Sequence, residues 1–378
     1  MKRLIFVVPA LCLAFVLQPA ARAAAPVGRN VLVVTLDGVR WQELFGGAQP
    51  DLVDKKLGGV ADLDNTRARF VRATSTGAST SKDEARRAVM PFFWTTIATK
   101  GQVFGDPGNN SAARVTNGLW FSYPGYNEML AGHADPRIDS NDKIANPNVT
   151  VLEWLNGRPG FKGRVAAFAS WELLPYILNV ERSRLPANGE GPPIANPRSE
   201  NERLLNDLAA DMPPYWGATR FDAATMAGAL ECLKRDQPRV LYVMLGETDE
   251  WGHERRYDLY LDAMWRSDRF VRRLWETAQS MPQYAGTTVL ITATDHGRGA
   301  GPKDWTDHGR KVPAAEQIWM AVMGPGTQPL GLRASTPTTL SQVAATIAAV
   351  VGEDFASSSK EVAPPLPGVV ATFKRSLK

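Results

Sequence analysis

Five short stretches of the chain are almost continuously apolar. They are Asn30 to Leu36 (NVLVVTL), Arg164 to Ala169 (RVAAFA), Arg239 to Leu245 (RVLYVML), Thr287 to Thr292 (TTVLIT) and Gln317 to Met323 (QIWMAVM). Runs of this length without polar alternation are the pattern of strands covered on both faces. Between them the period changes. Val39 to Phe45 opens as a helix, and Lys82 to Lys100 is helical with an interruption at Pro91. Phe221 to Asp236 and Tyr257 to Ser280 place apolar residues three and four apart, and Thr339 to Val351 is an apolar helix. Asn188 to Arg198 is rich in Pro and Gly and reads as a surface loop or the edge of an insertion. Strands alternating with helices predict an α/β fold. The expected form is a mostly parallel central sheet with helices on both faces, a three-layer α/β/α arrangement. No repeat or low-complexity tract divides residues 24–378, which are read as a single domain.

The first residues follow a different logic. Lys2 and Arg3 precede an apolar run from Leu4 to Leu17, and Ala20-Ala21-Arg22-Ala23 follows Gln18-Pro19. This is the three-part pattern of a secretory signal, and residues 1–23 are read as a cleaved signal peptide. The expected location is the periplasm or the exterior. The run is short for a membrane span, so no stable membrane insertion is expected after cleavage. Cleavage would also remove Cys12 and leave Cys232 alone, so no intramolecular disulfide is expected.

Composition adds exclusions rather than a function. Apolar residues make up 44% of the chain and charged residues 22%, as in ordinary globular proteins. A disordered or multi-span membrane protein is thereby set aside. The formal charge of +4 includes Lys2, Arg3 and Arg22 of the leader, so no nucleic-acid polymer is expected as a partner.

The candidate chemistry lies just after the strands. In open α/β sheets, ligands bind outside the carboxyl ends of the strands. Asp37-Gly38 comes directly after the first apolar run. Asp249 and His253 come after the third, and Asp295-His296-Gly297 after the fourth. His308-Gly309 stands a short loop later. The chain has four histidines, and three fall in these places. Any single pair has a plain structural explanation: a buried neutral His, or an Asp capping a helix. The ordered set of one chemical type points to metal. Asp oxygens and His nitrogens are zinc-type donors, with Mn or Fe as substitutes. Asp37, Asp249, His253, Asp295, His296 and His308 are too many for one open catalytic ion. They suit two divalent ions with three ligands each, the clamp used in phosphoryl transfer.

A nucleophile is available in FSYPGYNEMLAG. Ser122 precedes Pro124-Gly125 and a helical stretch, where the helix dipole favours an alkoxide and an incoming phosphate. An ordinary helix cap is the alternative for Ser122, and Thr95 or Thr96 is an alternative nucleophile.

These motifs together resemble the alkaline phosphatase superfamily, within it the type I phosphodiesterase/nucleotide pyrophosphatase branch. The matching residues are Asp37, Ser122 with Pro124 and Gly132, Asp249 with His253, Asp295-His296-Gly297 and His308-Gly309. The resemblance spans Asn30 to about Gly352 and implies an alkaline phosphatase-like catalytic domain. It implies one ion held by Asp249, His253 and His308. The other would be held by Asp37, Asp295, His296 and the Ser122 oxygen. It also implies Asn141 as a phosphate-binding residue, against the plain reading of a turn residue. In sulfatases a C/S-x-P-x-R motif carries the modified nucleophile. Here Tyr126 stands at the Arg position, which favours an unmodified serine. The expected function is therefore an exported two-metal hydrolase of small-molecule phosphate esters, zinc-loaded, or manganese-loaded. It would act through a metal-activated Ser122 and a phosphoserine intermediate, with phosphodiesters favoured. A phosphomonoesterase, a sulfatase and a non-catalytic metal- or ligand-binding relative are the alternatives.

Overall fold

The computed structural model describes residues 30–71 and 81–370. The signal-peptide expectation for residues 1–23 lies outside the described residues. The strands are β1 (Asn30–Leu36), β2 (Gly101–Phe104), β3 (Ala113–Arg114), β4 (Val165–Ala169), β5 (Ala187–Asn188), β6 (Val240–Leu245), β7 (Thr288–Ala293), β8 (Met320–Met323), β9 (Gly331–Leu332) and β10 (Thr338–Thr339). Eight of them form one sheet in the order β5-β4-β6-β1-β7-β8-β2-β9, and β10 pairs with β3 apart from it. β1 is parallel to both of its neighbours, β6 and β7. β8 is antiparallel to β7 and to β2. The sheet is thus mostly parallel, as the apolar runs predict.

The lack of alternation in β1 has a direct cause. Leu32, Val34 and Leu36 pack into one hydrophobic cluster, and Val31 and Val33 pack into a second. Successive strand residues point to opposite faces, so a strand between two helical layers needs both sets apolar. The first layer includes Lys82–Val89, Asp222–Arg235 and Tyr257–Ser280. The second includes Ser122–Ala131, Val151–Asn156 and Gln342–Val350. Burying one Val, Leu or Ile side chain stabilises by about 1.5–3 kcal/mol, so a register slip of one residue would reverse many such terms.

Pro91 does interrupt the 82–100 segment. Lys82–Val89 ends before it, and a wider π-type turn at Phe93–Ile97 comes next. The Phe92 and Phe93 amides, which lack helical partners there, donate to Asp268 at 2.7 and 2.8 Å. β2 was not expected from the sequence. It is only four residues long, and Gly101 and Gln102 break its apolar pattern.

The helix that carries Ser122 is fixed at both ends. Pro124 sits in its first turn, where a missing N–H costs nothing. Gly132 ends it at φ 80°, and a Cβ there would lie 2.9 Å from Val362. From its buried face, the Glu128 carboxylate accepts from the Thr116 amide at 2.9 and 3.0 Å and from the Asn117 amide at 3.0 Å. It also accepts from the Ser341 hydroxyl at 2.9 Å. Glu128→Ala takes the acceptor from the buried Ser341 hydroxyl and from the part-buried Thr116 and Asn117 hydrogen bonds, where a buried donor left unmet costs about 1–3 kcal/mol. The expected result is a loss of roughly 3 kcal/mol, read from the urea midpoint at unchanged slope. A midpoint equal to wild type would refute this bracing role.

Candidate metal centre

The sheet delivers each candidate residue to its carboxyl edge. Asp37 is the first residue after β1, and its amide donates to the Leu245 carbonyl at 2.9 Å, extending the ladder by one step. Asp249 and His253 lie one helical turn apart on Glu247–His253, directly after β6. The i, i+4 spacing places them on one helix face, with Asp249 Oδ2 3.2 Å from His253 Nε2. Asp295 and His296 come after β7.

Two groups result. In Asp249, His253 and His308, donor atoms all lie within 4.8 Å of one another, and the same holds for Asp37, Asp295 and His296. His253 Nε2 is 3.0 Å from His308 Nε2. His296 Nε2 is 3.3 Å from Asp37 Oδ1 and 3.5 Å from Asp295 Oδ2. Asp249 links the groups, with Oδ1 3.8 Å from both His296 Nε2 and His308 Nε2. All six residues expected from the sequence are therefore gathered.

Each carboxylate is tied at one oxygen and open at the other. Asp37 Oδ2 accepts from the Tyr126 hydroxyl at 3.0 Å. Asp295 Oδ1 accepts from the Gly38 amide at 3.1 Å. Asp249 Oδ1 accepts from Arg298. The second oxygens of Asp37 and Asp295 are buried without a hydrogen-bond partner. A buried, unpartnered carboxylate oxygen is costly. Two such oxygens facing the His296 nitrogen are what one cation would satisfy, and the Asp249, His253 and His308 donors, within 4.8 Å of one another, offer a second site of the same chemistry.

The charges strain against one another accordingly. Burial raises Asp37, and the nearby Asp249 raises it further. Burial and Asp37 push Asp295 well above the usual carboxylate range. Burial would raise Asp249 too, but Arg298 and His253 hold it well below its ordinary value. Burial and the neighbouring His296 push His308 well down.

Ser122 lies at this junction. Its Oγ is 3.3 Å from His296 Nε2 and it is the first residue of its ten-residue helix. Asn141 is beside it: the Asn141 Oδ1 accepts from the Tyr123 amide at 3.0 Å. Thr95, the alternative nucleophile, donates to the Pro91 carbonyl within its own helix.

Residues 217–354 match the family model of the Metalloenzyme superfamily. The matched stretch is a little over a third of the chain and is similar to that superfamily. The matched stretch contains Asp249, His253, Asp295, His296 and His308, while Asp37 and Ser122 lie before it. No curated protein matches the chain in sequence. Among solved structures, alkaline phosphatase PafA is similar with a TM-score of 0.55 and 10% identity, over 92% of this chain and 100% of that one. The lipoteichoic acid synthase LtaP of Listeria monocytogenes is similar at 0.52 and 10%, over 87% and 73%. Ps i-CgsB in complex with k-i-k-neocarrahexaose is similar at 0.52 and 14%, over 90% and 75%. At these identities the likeness is one of fold, and the fold is alkaline phosphatase-like.

At this candidate site the sequence reading missed the roles of two residues. Tyr126 is fully buried and holds Asp37, and Arg298 holds Asp249. Their signal was position alone: Tyr126 lies four residues after Ser122, and Arg298 two after His296. The three tryptophans beside the candidate ligands pack inward. Trp305 sits against Tyr257 and Tyr260, Trp251 against Trp216 and Tyr215, and Trp41 against the core.

His296 gives the candidate metal centre a pH signature. Burial would lower its pKa, but Asp295 and Asp37 raise it to about 9 from the ordinary 6.5. Its stabilising contribution in the metal-free protein is complete below about pH 6.5 and is lost as pH rises through about 9. A cation needs the neutral ring, so zinc loading near pH 7 should expel about one proton from this residue. Calorimetric titration in two buffers of different ionisation enthalpy measures it. Heats independent of the buffer would contradict the assignment.

Proposed function

We propose that this chain is a two-metal hydrolase of phosphate esters in which Ser122 is the nucleophile and phosphodiesters are the favoured substrates. One observation carries the reading: a serine hydroxyl at a helix N-terminus lies 3.3 Å from His296 Nε2, where two separate three-donor groups meet. Asp249, His253 and His308 would hold one ion. Asp37, Asp295, His296 and Ser122 Oγ would hold the other. Zinc suits this mixed Asp and His donor set, and manganese is the alternative. When bound, the ions supply the Lewis acidity that favours the serine alkoxide and neutralises charge on the phosphoryl oxygens.

The chain's own residues do the rest. The helix dipole favours negative charge at Ser122 and on the incoming phosphoryl group. In-line attack by Ser122 Oγ expels the alcohol and leaves a phosphoserine, which water then hydrolyses. Asn141 accepts from the Tyr123 amide in the first turn, and its side-chain NH2 would donate to a substrate oxygen. Tyr126 keeps Asp37 oriented in the place where a sulfatase would carry an arginine. That substitution supports phosphate over sulfate chemistry.

The preference for a diester rests on charge. A monoester brings a second negative charge and is best met by a free cation near the nucleophile. Here Arg298 is committed to Asp249, and Lys143, two residues after Asn141, is paired with Glu172 at 2.8 Å. The leader pattern at residues 1–23 supports action outside the cytoplasm. Among the described residues, no helix is long and apolar enough to cross a membrane.

The test is hydrolysis of bis-p-nitrophenyl phosphate against p-nitrophenyl phosphate by zinc-loaded protein. The diester should be cleaved faster, and Ser122→Ala should fall to the blank while still binding metal. Turnover by Ser122→Ala close to wild type would remove the covalent mechanism. A clear monoester preference would remove the diester assignment.

A further inference from the structure

Arg298 is 1% exposed, and a guanidinium cannot shed its charge, so it needs partners where it lies; both terminal nitrogens have them, and only Nε is buried without one. Its Nη2 donates to the Asp249 backbone carbonyl at 2.8 Å and to Asp249 Oδ1. Its Nη1 donates to the Thr306 carbonyl. Thr306 lies two residues before His308. One planar group therefore ties together the segment that carries Asp249 and the loop that carries His308.

The space for it has been cleared by two glycines. A Cβ on Gly252 would stand 2.7 Å from the Arg298 Cζ, and one on Gly38 would stand 3.0 Å from its Nε. Gly252 sits between Asp249 and His253 on their short helix, where glycine is otherwise unfavourable by roughly 1 kcal/mol. Gly38 comes directly after Asp37. Gly252 thus leaves room for the guanidinium alone, while Gly38, at φ 60°, leaves room for both the guanidinium and Asp249 Oδ1, which a Cβ there would meet at 2.7 Å.

We propose that Arg298 is a positioning residue for the Asp249, His253 and His308 ion site. By occupying Asp249 Oδ1 it makes Asp249 a one-oxygen ligand and turns Oδ2 towards His253, 3.2 Å away. By holding the Thr306 carbonyl it sets the His308 loop against that same oxygen. The inference rests on the two-metal reading above. A lysine carries the same charge but not the fork, so it cannot span the three acceptors.

The experiment is cobalt(II) titration of metal-stripped protein, followed by visible absorption and calorimetry. His308→Ala and His296→Ala provide the reference spectrum of each site. Arg298→Met should weaken the Asp249 site by about 10- to 100-fold, the usual effect of losing a group that orients a ligand. It should alter that site's absorption band and leave the Asp37 site unchanged. Arg298→Lys should remain weak. Gly252→Ala keeps the arginine but displaces it, and should reproduce the loss even if Arg298→Met folds poorly. Variants that bind both ions like wild type, or that weaken both sites equally, would overturn the proposal. Wild-type protein that takes up fewer than two cobalt ions would instead overturn the two-metal reading.

Discussion

Three carboxylates and three imidazoles occupy one largely buried volume at the carboxyl edge of the sheet, and their mutual repulsion has to be contained. Left alone, such a cluster would take up protons or draw in water. The fold contains it by giving each carboxylate a single fixed donor: Tyr126 for Asp37, the Gly38 amide for Asp295 and Arg298 for Asp249. The remaining donor atoms converge. This explains the rigid surroundings of the site, with strand ends on one side and a braced helix on the other. It also explains why glycines flank the ligands, since backbone and guanidinium both approach closely there.

Much of this was legible in the sequence because the parallel strands are simple objects. An apolar run with no alternation can only be a doubly covered strand or a buried helix, and its length decides between them. Observed β1 coincides with the expected Asn30–Leu36 stretch, and the long helix with Tyr257–Ser280. The ligands were legible for a related reason. Topology sets the place of chemistry at the ends of such strands, and Asp37, Asp249 and Asp295 each stand within a few residues of one. The fifth run was read too long. Only Met320–Met323 belongs to the main sheet, because Gln317 and Ile318 turn instead to the segment around Ala113 and Arg114, where Gln317 bridges Arg114 and the Ile318 amide donates to the Ala113 carbonyl at 3.0 Å.

The features that escaped the sequence depend on contacts between distant segments. β2 joins the sheet through antiparallel pairing with β8, a partner more than 200 positions away, and its own four residues carry no clear period. Tyr126 and Arg298 look like a core aromatic and a surface cation until their partners are known. Neither residue type advertises a role in orienting a ligand. The packing of Trp251 and Trp305 in the core, with the partly buried Trp41 against it, likewise depends on distant partners.

The bond between Glu128 and Ser341 joins positions 213 residues apart, and Gly132 packs close to Ala344 on the same downstream helix. The serine's helix is therefore seated against a part of the chain that leaves the ribosome long after it. During synthesis Ser122 and Asp37 exist before the surface that orients them. A half-made chain carries the reactive side chains without their alignment.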